Sequence, residues 1–160
     1  VNEGRPLFVR TPESAFTLAN FCRMHLLSAL STLRIGLDIL RREENVRVER
    51  ICAHGGFFKT PGVGQRILAA AVGAPVSVME TAGEGGPYGM ALLCAYMLWR
   101  RKGETLEEYL DNRVFADAGV STVLPDSMDA AGFTSFLERY KAAFPLEQLA
   151  VETLKMEKNT

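Results

Sequence analysis

The chemistry this chain can do is concentrated in one stretch: Arg50-Ile51-Cys52-Ala53-His54-Gly55-Gly56-Phe57-Phe58-Lys59-Thr60-Pro61-Gly62. A short apolar run predicts a buried strand, the glycine pair a turn, and Thr60-Pro61 the start of a helix. Glycines remove the Cβ atoms that hold a ligand off the main chain, and the N–H groups opening the next helix add partial positive charge. Strand, glycine turn and helix in that order are the layout of a phosphate- or nucleotide-facing loop. The same layout also serves αβ turns that bind nothing, with Thr60 as an ordinary helix cap and Phe57 and Phe58 as hinge aromatics. A second glycine-rich turn, Thr81 to Pro87 with Gly83, Gly85 and Gly86, follows the next predicted strand. In an open parallel sheet ligands sit beyond the carboxyl ends of the strands, where both turns fall.

Other reactive side chains offer less. His25 and His54 are the chain's two histidines, and neither spacing nor order pairs them with a nucleophile. We read them as one packed and one turn histidine. Glu43 and Glu44 are a solvated helix end, whereas Glu80 and Glu84 flank the second glycine turn as candidate ligand contacts. No carboxylate pair stands out as general acid and base. We expect no catalytic residue and no metal site in this chain.

The elements that carry these turns follow from periodicity. After an extended lead-in over Val1 to Arg10, Thr11-Pro12-Glu13 predicts a helix start, and the helix runs to about Arg42. Phe16, Ala19, Met24, Leu27, Leu30, Leu33, Leu37 and Leu40 recur at helical spacing, with Leu18, Phe21, Leu26 and Ile35 on the flanks, so the helix is expected to be largely buried. Val46 to Ala53 predicts a strand in a sheet covered on both sides. Gly62 to Val72 predicts a helix stopped by Gly73, Pro75 to Glu80 a second strand, and Tyr88 to Arg101 a helix stopped by Gly103. Thr105 to Asn112 reads as a short amphipathic helix, Asp117 to Ser127 as a surface loop, and Asp129 to Phe144 as a helix. Leu146 to Met156 is a helix or a frayed tail. The αβαβα order implies parallel strands and an α/β layered domain.

Composition narrows the class. The chain has 160 residues, 48% hydrophobic and 23% charged, with a net charge of −1. That fits a single globular domain with a full core, and the scattered Lys and Arg offer nucleic acid or anionic membrane no footprint. Cys22, Cys52 and Cys94 lack zinc spacing and are expected as reduced core thiols of a cytoplasmic protein. There is no span long and apolar enough for a bilayer and no signal-peptide order. Val1 in place of an initiator Met leads us to expect a processed chain or a piece of a longer one.

From about Phe16 to Met97 the sequence resembles the C-terminal domain of the FGGY carbohydrate kinases, within the wider superfamily of actin, hexokinase and heat-shock ATPases. Arg23 and Arg34 fall where that family places arginines on the first helix. His54-Gly55-Gly56-Phe57-Phe58-Lys59-Thr60 is similar to its Gly-Gly-x-x-x-Ser/Thr/Asn adenosine loop. Arg66-Ile67-Leu68-Ala69-Ala70-Ala71-Val72-Gly73-Ala74-Pro75-Val76 matches its Gln-x-x-Ala-Asp-x-x-Gly-x-Pro-Val, and Glu80 with Tyr88-Gly89-Met90-Ala91 its acid and small-residue helix. Arg66 replaces the usual Gln, Ala70 the usual Asp and Leu27 the usual Glu, and the second glycine turn is a residue longer.

The resemblance implies a ribonuclease H-like, actin-like ATPase domain, the C-terminal lobe of a two-lobe kinase, over residues 1–160. It implies ATP-dependent phosphorylation of a sugar hydroxyl by the full protein, with a ketopentose such as xylulose or L-ribulose as substrate. ATP and Mg²⁺ are the implied cofactors, the metal held mainly by an N-terminal domain upstream of these residues, which also binds the sugar. Gly55, Gly56, Phe57, Lys59 and Thr60 are the implied nucleotide contacts. Trp99, Tyr96 and the late aromatic helices leave an interdomain surface or a homodimer open. Three competing readings remain: a stand-alone nucleotide-binding regulatory module, an α/β scaffold that binds no ligand, and a Rossmann-like dinucleotide domain. The last lacks the third glycine of its fingerprint and the acid about 20 residues on.

Overall fold

A computed structural model describes residues 4–80, 83 and 85–154. In chain order these form α1 (Leu18–Glu43), β1 (Ile51–Ala53), a 3₁₀ turn (Gly56–Phe58), α2 (Val63–Val72), β2 (Val76–Met79) and α3 (Gly85–Trp99). There follow α4 (Leu106–Tyr109), which widens into a π-helical turn (Leu110–Val114), then β3 (Val120–Val123), α5 (Ser127–Ala142) and α6 (Phe144–Thr153).

The sheet has the order β1-β2-β3. β1 and β2 are parallel, joined through α2 as expected for a βαβ unit, with Ile51 opposite Val76 and Ala53 opposite Val78. β3 is antiparallel to β2, Val76 facing Val123 and Met79 facing Val120, so the sheet is mixed, not all parallel. Alternation along the strands turns Ile51, Ala53, Val76 and Val78 toward the helices, where they pack with Leu68, Ala69 and Val72 of α2 and Leu30 and Leu37 of α1. The opposite row is Cys52, Ser77 and Thr122, the last two joined by a 2.8 Å hydroxyl hydrogen bond. Phe133 and Leu137 of α5 close a second cluster against Ala71, Leu27 and Leu30.

Several expectations are corrected. α1 starts at Leu18, not after Thr11: Thr17 is the N-cap and accepts from the Asn20 N–H, while Thr11 closes a separate turn with Ser14. α1 is not largely buried either. Ser31 is its one fully buried residue, and Leu18, Phe21, Leu33 and Leu40 are exposed, because α2 and α5 cover only one of its faces. The first strand is confined to Ile51–Ala53, and its Cys52 is exposed, so the sheet is not fully covered on both sides there. The expected surface loop Asp117–Ser127 contains β3. α3 begins at Gly85, three residues before the expected Tyr88. Cys22, Cys52 and Cys94 are free but all exposed, so they are not core thiols.

Arg34 and Arg41 of α1 do work the periodicity did not show. Arg34 Nη1 donates to the Ala71 carbonyl and Arg41 Nη2 to the Val72 carbonyl, both at 2.6 Å. These carbonyls end α2, where the macrodipole is negative and backbone acceptors lack helical partners. Asp38 orients Arg34 at 2.8 Å.

Candidate functional site

β1 delivers His54 and Gly55 at its carboxyl end. Gly55 has φ +102°, a backbone state that a side chain strains, and it leads into the 3₁₀ turn Gly56–Phe58, closed by the Phe58 N–H to the Gly55 carbonyl at 3.0 Å. The chain then passes through exposed Lys59, Thr60 and Pro61 to Gly62, also left-handed at φ +75°, which is the N-cap of α2. Thr60 is therefore not the cap of this helix. The loop is held from beneath. A methyl group at Gly64 would lie 2.5 Å from the Phe57 carbonyl oxygen and 2.9 Å from its ring, so α2 sits directly against the turn. Methyl groups at Gly55, Gly56 and Gly62 would meet nothing within 4 Å, which leaves the outer face of the loop bare backbone.

The second glycine turn comes to the first. A methyl at Gly85 would stand 2.9 Å from the Cβ of His54, and one at Gly83 would lie 3.6 Å from the Cε of Lys59. The two turns thus share one surface at the carboxyl ends of β1 and β2, as the topology predicts for a ligand site. Glu84 lies outside the described residues. Glu80 is exposed, its N–H bonded to the Gly119 carbonyl at 3.2 Å and its carboxyl packed over Gly119 beside β3.

Among the candidate contacts, Gly55, Gly56, Lys59 and Thr60 lie along the loop, while Phe57 is half-buried against Gly64. Phe57 and Phe58 meet edge-to-face at 5.2 Å, and Phe58 packs onto the core cluster of α2 and the sheet. Among the described residues no group of three or more His, Cys, Asp or Glu side chains stands close enough to hold a metal ion. An open groove lined by Arg47, Val48, Glu49, Arg50, Cys52 and Pro75 runs along the free edge of β1 at the other end of the strands. Its position makes it a feature of the sheet edge and separates it from the glycine turns.

Sequence reasoning missed Gln65. It is buried, and its amide nitrogen donates to the Ser121 carbonyl at 2.9 Å and the Val76 carbonyl at 3.3 Å, tying the first turn of α2 to β3 and β2. The available signal was a polar amide in an otherwise apolar helix, one position before Arg66. Arg66 itself pairs with Asp129 of α5 at 3.1 Å, and the same carboxylate takes Arg23 of α1 at 3.2 Å.

A family model described as the FGGY family of carbohydrate kinases, C-terminal domain, matches residues 1–98. No protein of curated function matches the chain. The matched region runs through both glycine turns and nearly to the end of α3. β3, α5 and the Phe133–Leu137 cluster lie beyond it, although they complete the same sheet and core.

Proposed function

The chain belongs to the FGGY family of carbohydrate kinases, and we propose that its paired glycine turns form the nucleotide side of an ATP-dependent sugar kinase. The observation that carries this reading is the meeting of the turns: His54 against Gly85 and Lys59 against Gly83, with the backbone of Gly55, Gly56 and Gly62 open above. Such a surface fits a nucleotide, because bare main chain admits close approach and supplies N–H donors without side chains in the way. Kinases of this family use ATP and a sugar substrate, typically with Mg²⁺.

Bound here, ATP supplies the transferable phosphoryl group and Mg²⁺ offsets its charge. The residues of this chain would bind and orient. Gly55 and Gly56 would present backbone to the nucleotide, Thr60 and Lys59 would reach it from the loop, and Phe57, braced by Gly64, holds the loop's shape. The metal's carboxylate ligands and the group that deprotonates the sugar hydroxyl we assign to a sugar-binding lobe. Phosphoryl transfer needs both sides of a closed cleft. A ketopentose is the substrate class we propose, on the motif resemblance, with selection made by that other lobe.

α3 supports a two-lobe arrangement. None of its residues is fully buried, and Met90, Met97, Leu98 and Trp99 are exposed on a helix that begins at the second glycine turn. An apolar surface of this kind marks a contact face, and we assign it to the sugar-binding lobe. No described helix is long and apolar enough to cross a membrane, and a cytoplasmic location is part of this same proposal.

The test is chemical-shift mapping of the chain with Mg-ATP. The reading expects shifts concentrated at Gly55–Thr60 and Gly83–Gly86. Shifts confined to the β1 edge groove, or none with saturating Mg-ATP, would overturn it.

A further inference from the structure

Gln65 is 5% exposed and is the third residue of α2, directly after the loop read above as nucleotide-facing. A buried amide is a costly choice where Met or Leu would fill the same volume, since each unpaired polar atom loses its hydration. Here the amide is paired. Nε2 donates to Ser121 O of β3 at 2.9 Å and to Val76 O of β2 at 3.3 Å, and Oε1 accepts from the Ser121 hydroxyl at 3.5 Å. Apolar packing is non-directional and lets a helix rotate or slide, whereas a paired amide fixes its start against two strands.

The loop's two ends make that fixing matter. It is bounded by left-handed glycines, Gly55 at φ +102° and Gly62 at φ +75°, and its middle leans on α2 through Gly64 and Phe57. Glycine ends resist bending little. The set of the exposed backbone between them therefore follows the start of α2, and Gln65 holds that start. Asp129 of α5 backs the same turn through Arg66. Both Ser121 and Asp129 lie outside the family-matched residues 1–98.

We propose that Gln65 is a positioning residue of the nucleotide site, through which β3 sets the affinity for ATP. This rests on the nucleotide reading given above. Gln65→Met keeps the side-chain volume and removes both donors.

The experiment compares Gln65→Met with Leu137→Val, which trims the buried α5 contact far along the chain from the loop, in the same 160-residue chain. Mg-ATP is titrated into each, and amide hydrogen exchange is followed at Gly56–Gly62. Both variants should lose thermal stability. Only Gln65→Met should raise the Kd for Mg-ATP, by on the order of tenfold, and speed exchange across the loop. Should Gln65→Met not fold, Gln65→Asn, which keeps the amide but is one methylene short of Ser121 O, takes its place with the same expected result. Equal Kd values and equal loop exchange in the two variants, with the unaltered chain binding, would overturn this inference alone. No binding by the unaltered chain would overturn the nucleotide reading and this inference together.

Discussion

His54 and Gly85 are in contact because residue 85 has no side chain: a methyl there would come within 2.9 Å of the Cβ of His54. That contact joins the turn after β1 to the start of α3, and it cannot yield by rotating a side chain, since Cβ moves only with the backbone. Gly85→Ala should therefore push the two turns apart and weaken Mg-ATP binding by on the order of tenfold. Gly132→Ala, at an exposed position of α5 where a methyl meets nothing within 4 Å, should bind as the unaltered chain does. Calorimetric titration of the two variants measures the contrast.

A similar contrast applies to stability. A methyl at Gly64 would lie 2.5 Å from the Phe57 carbonyl oxygen, so Gly64→Ala should destabilise by about 1–3 kcal/mol despite alanine's better helix propensity. Gly36→Ala, at an exposed position inside α1 with open space around it, should stabilise by about 0.5–1 kcal/mol. Urea unfolding midpoints of the pair, at unchanged slope, check both signs.

Arg34 ties α1 to the end of α2. Arg34→Ala removes the donor to the Ala71 carbonyl, and Ala71 is fully buried. Leaving that acceptor unpaired should cost about 1–3 kcal/mol. Arg42 is exposed and, among the described residues, bonds only to the Asp38 carbonyl of its own helix, so Arg42→Ala should change stability by less than about 0.5 kcal/mol. The same unfolding measurement separates them.

Glu108 closes a capping box on α4. Its carboxylate accepts from the Thr105 N–H at 2.9 Å while the Thr105 hydroxyl accepts from the Glu108 N–H at 3.2 Å. The bond from the Thr105 backbone, and next its side chain, hold the Glu108 carboxyl below its ordinary value. A depressed folded value means that the cap's contribution is fully present above the ordinary carboxylate range and is lost as pH falls through the lower, folded value. Protection factors at Thr105 and Tyr109, which correct for the intrinsic slowing of exchange in acid, should fall on acidification through that window. Glu108→Gln, which can still cap, should flatten the response.

The sequence made α2, β2 and the glycine turns legible because each is bounded by strong signals: Gly62 and Gly73 around α2, Pro75 before β2. α5 was read within two residues of its start, where Asp126 caps it by accepting from Met128 and Asp129. β3 was not legible. Val120-Ser121-Thr122-Val123 is a short edge strand with three of its four residues exposed, so no alternation marks it, and only its two Val and one Thr hinted at extended structure. The false helix start at Thr11-Pro12-Glu13 forms a turn instead, with the Ser14 hydroxyl and N–H both donating to the Thr11 carbonyl, six residues before the Thr17 cap. The apolar positions around α1 predict a largely buried helix, but α2 and α5 cover only part of it, since an apolar flank marks a contact face only where the fold supplies a neighbour. At the site, the loop was visible as spacing. The contact of His54 with Gly85 and the anchoring of Gln65 were not, because both depend on residues that only the fold brings together.

Gly56 offers the most direct test of the central claim. Gly56 is not in the left-handed region and a Cβ there would meet nothing within 4 Å, so Gly56→Val should fold with a melting temperature near that of the unaltered chain while obstructing a ligand laid on the loop. Calorimetric titration with Mg-ATP should show binding by the unaltered chain, even if only at about millimolar strength, or roughly −4 kcal/mol, and none by the folded variant. Equal affinities in the two proteins would contradict a nucleotide site on this loop.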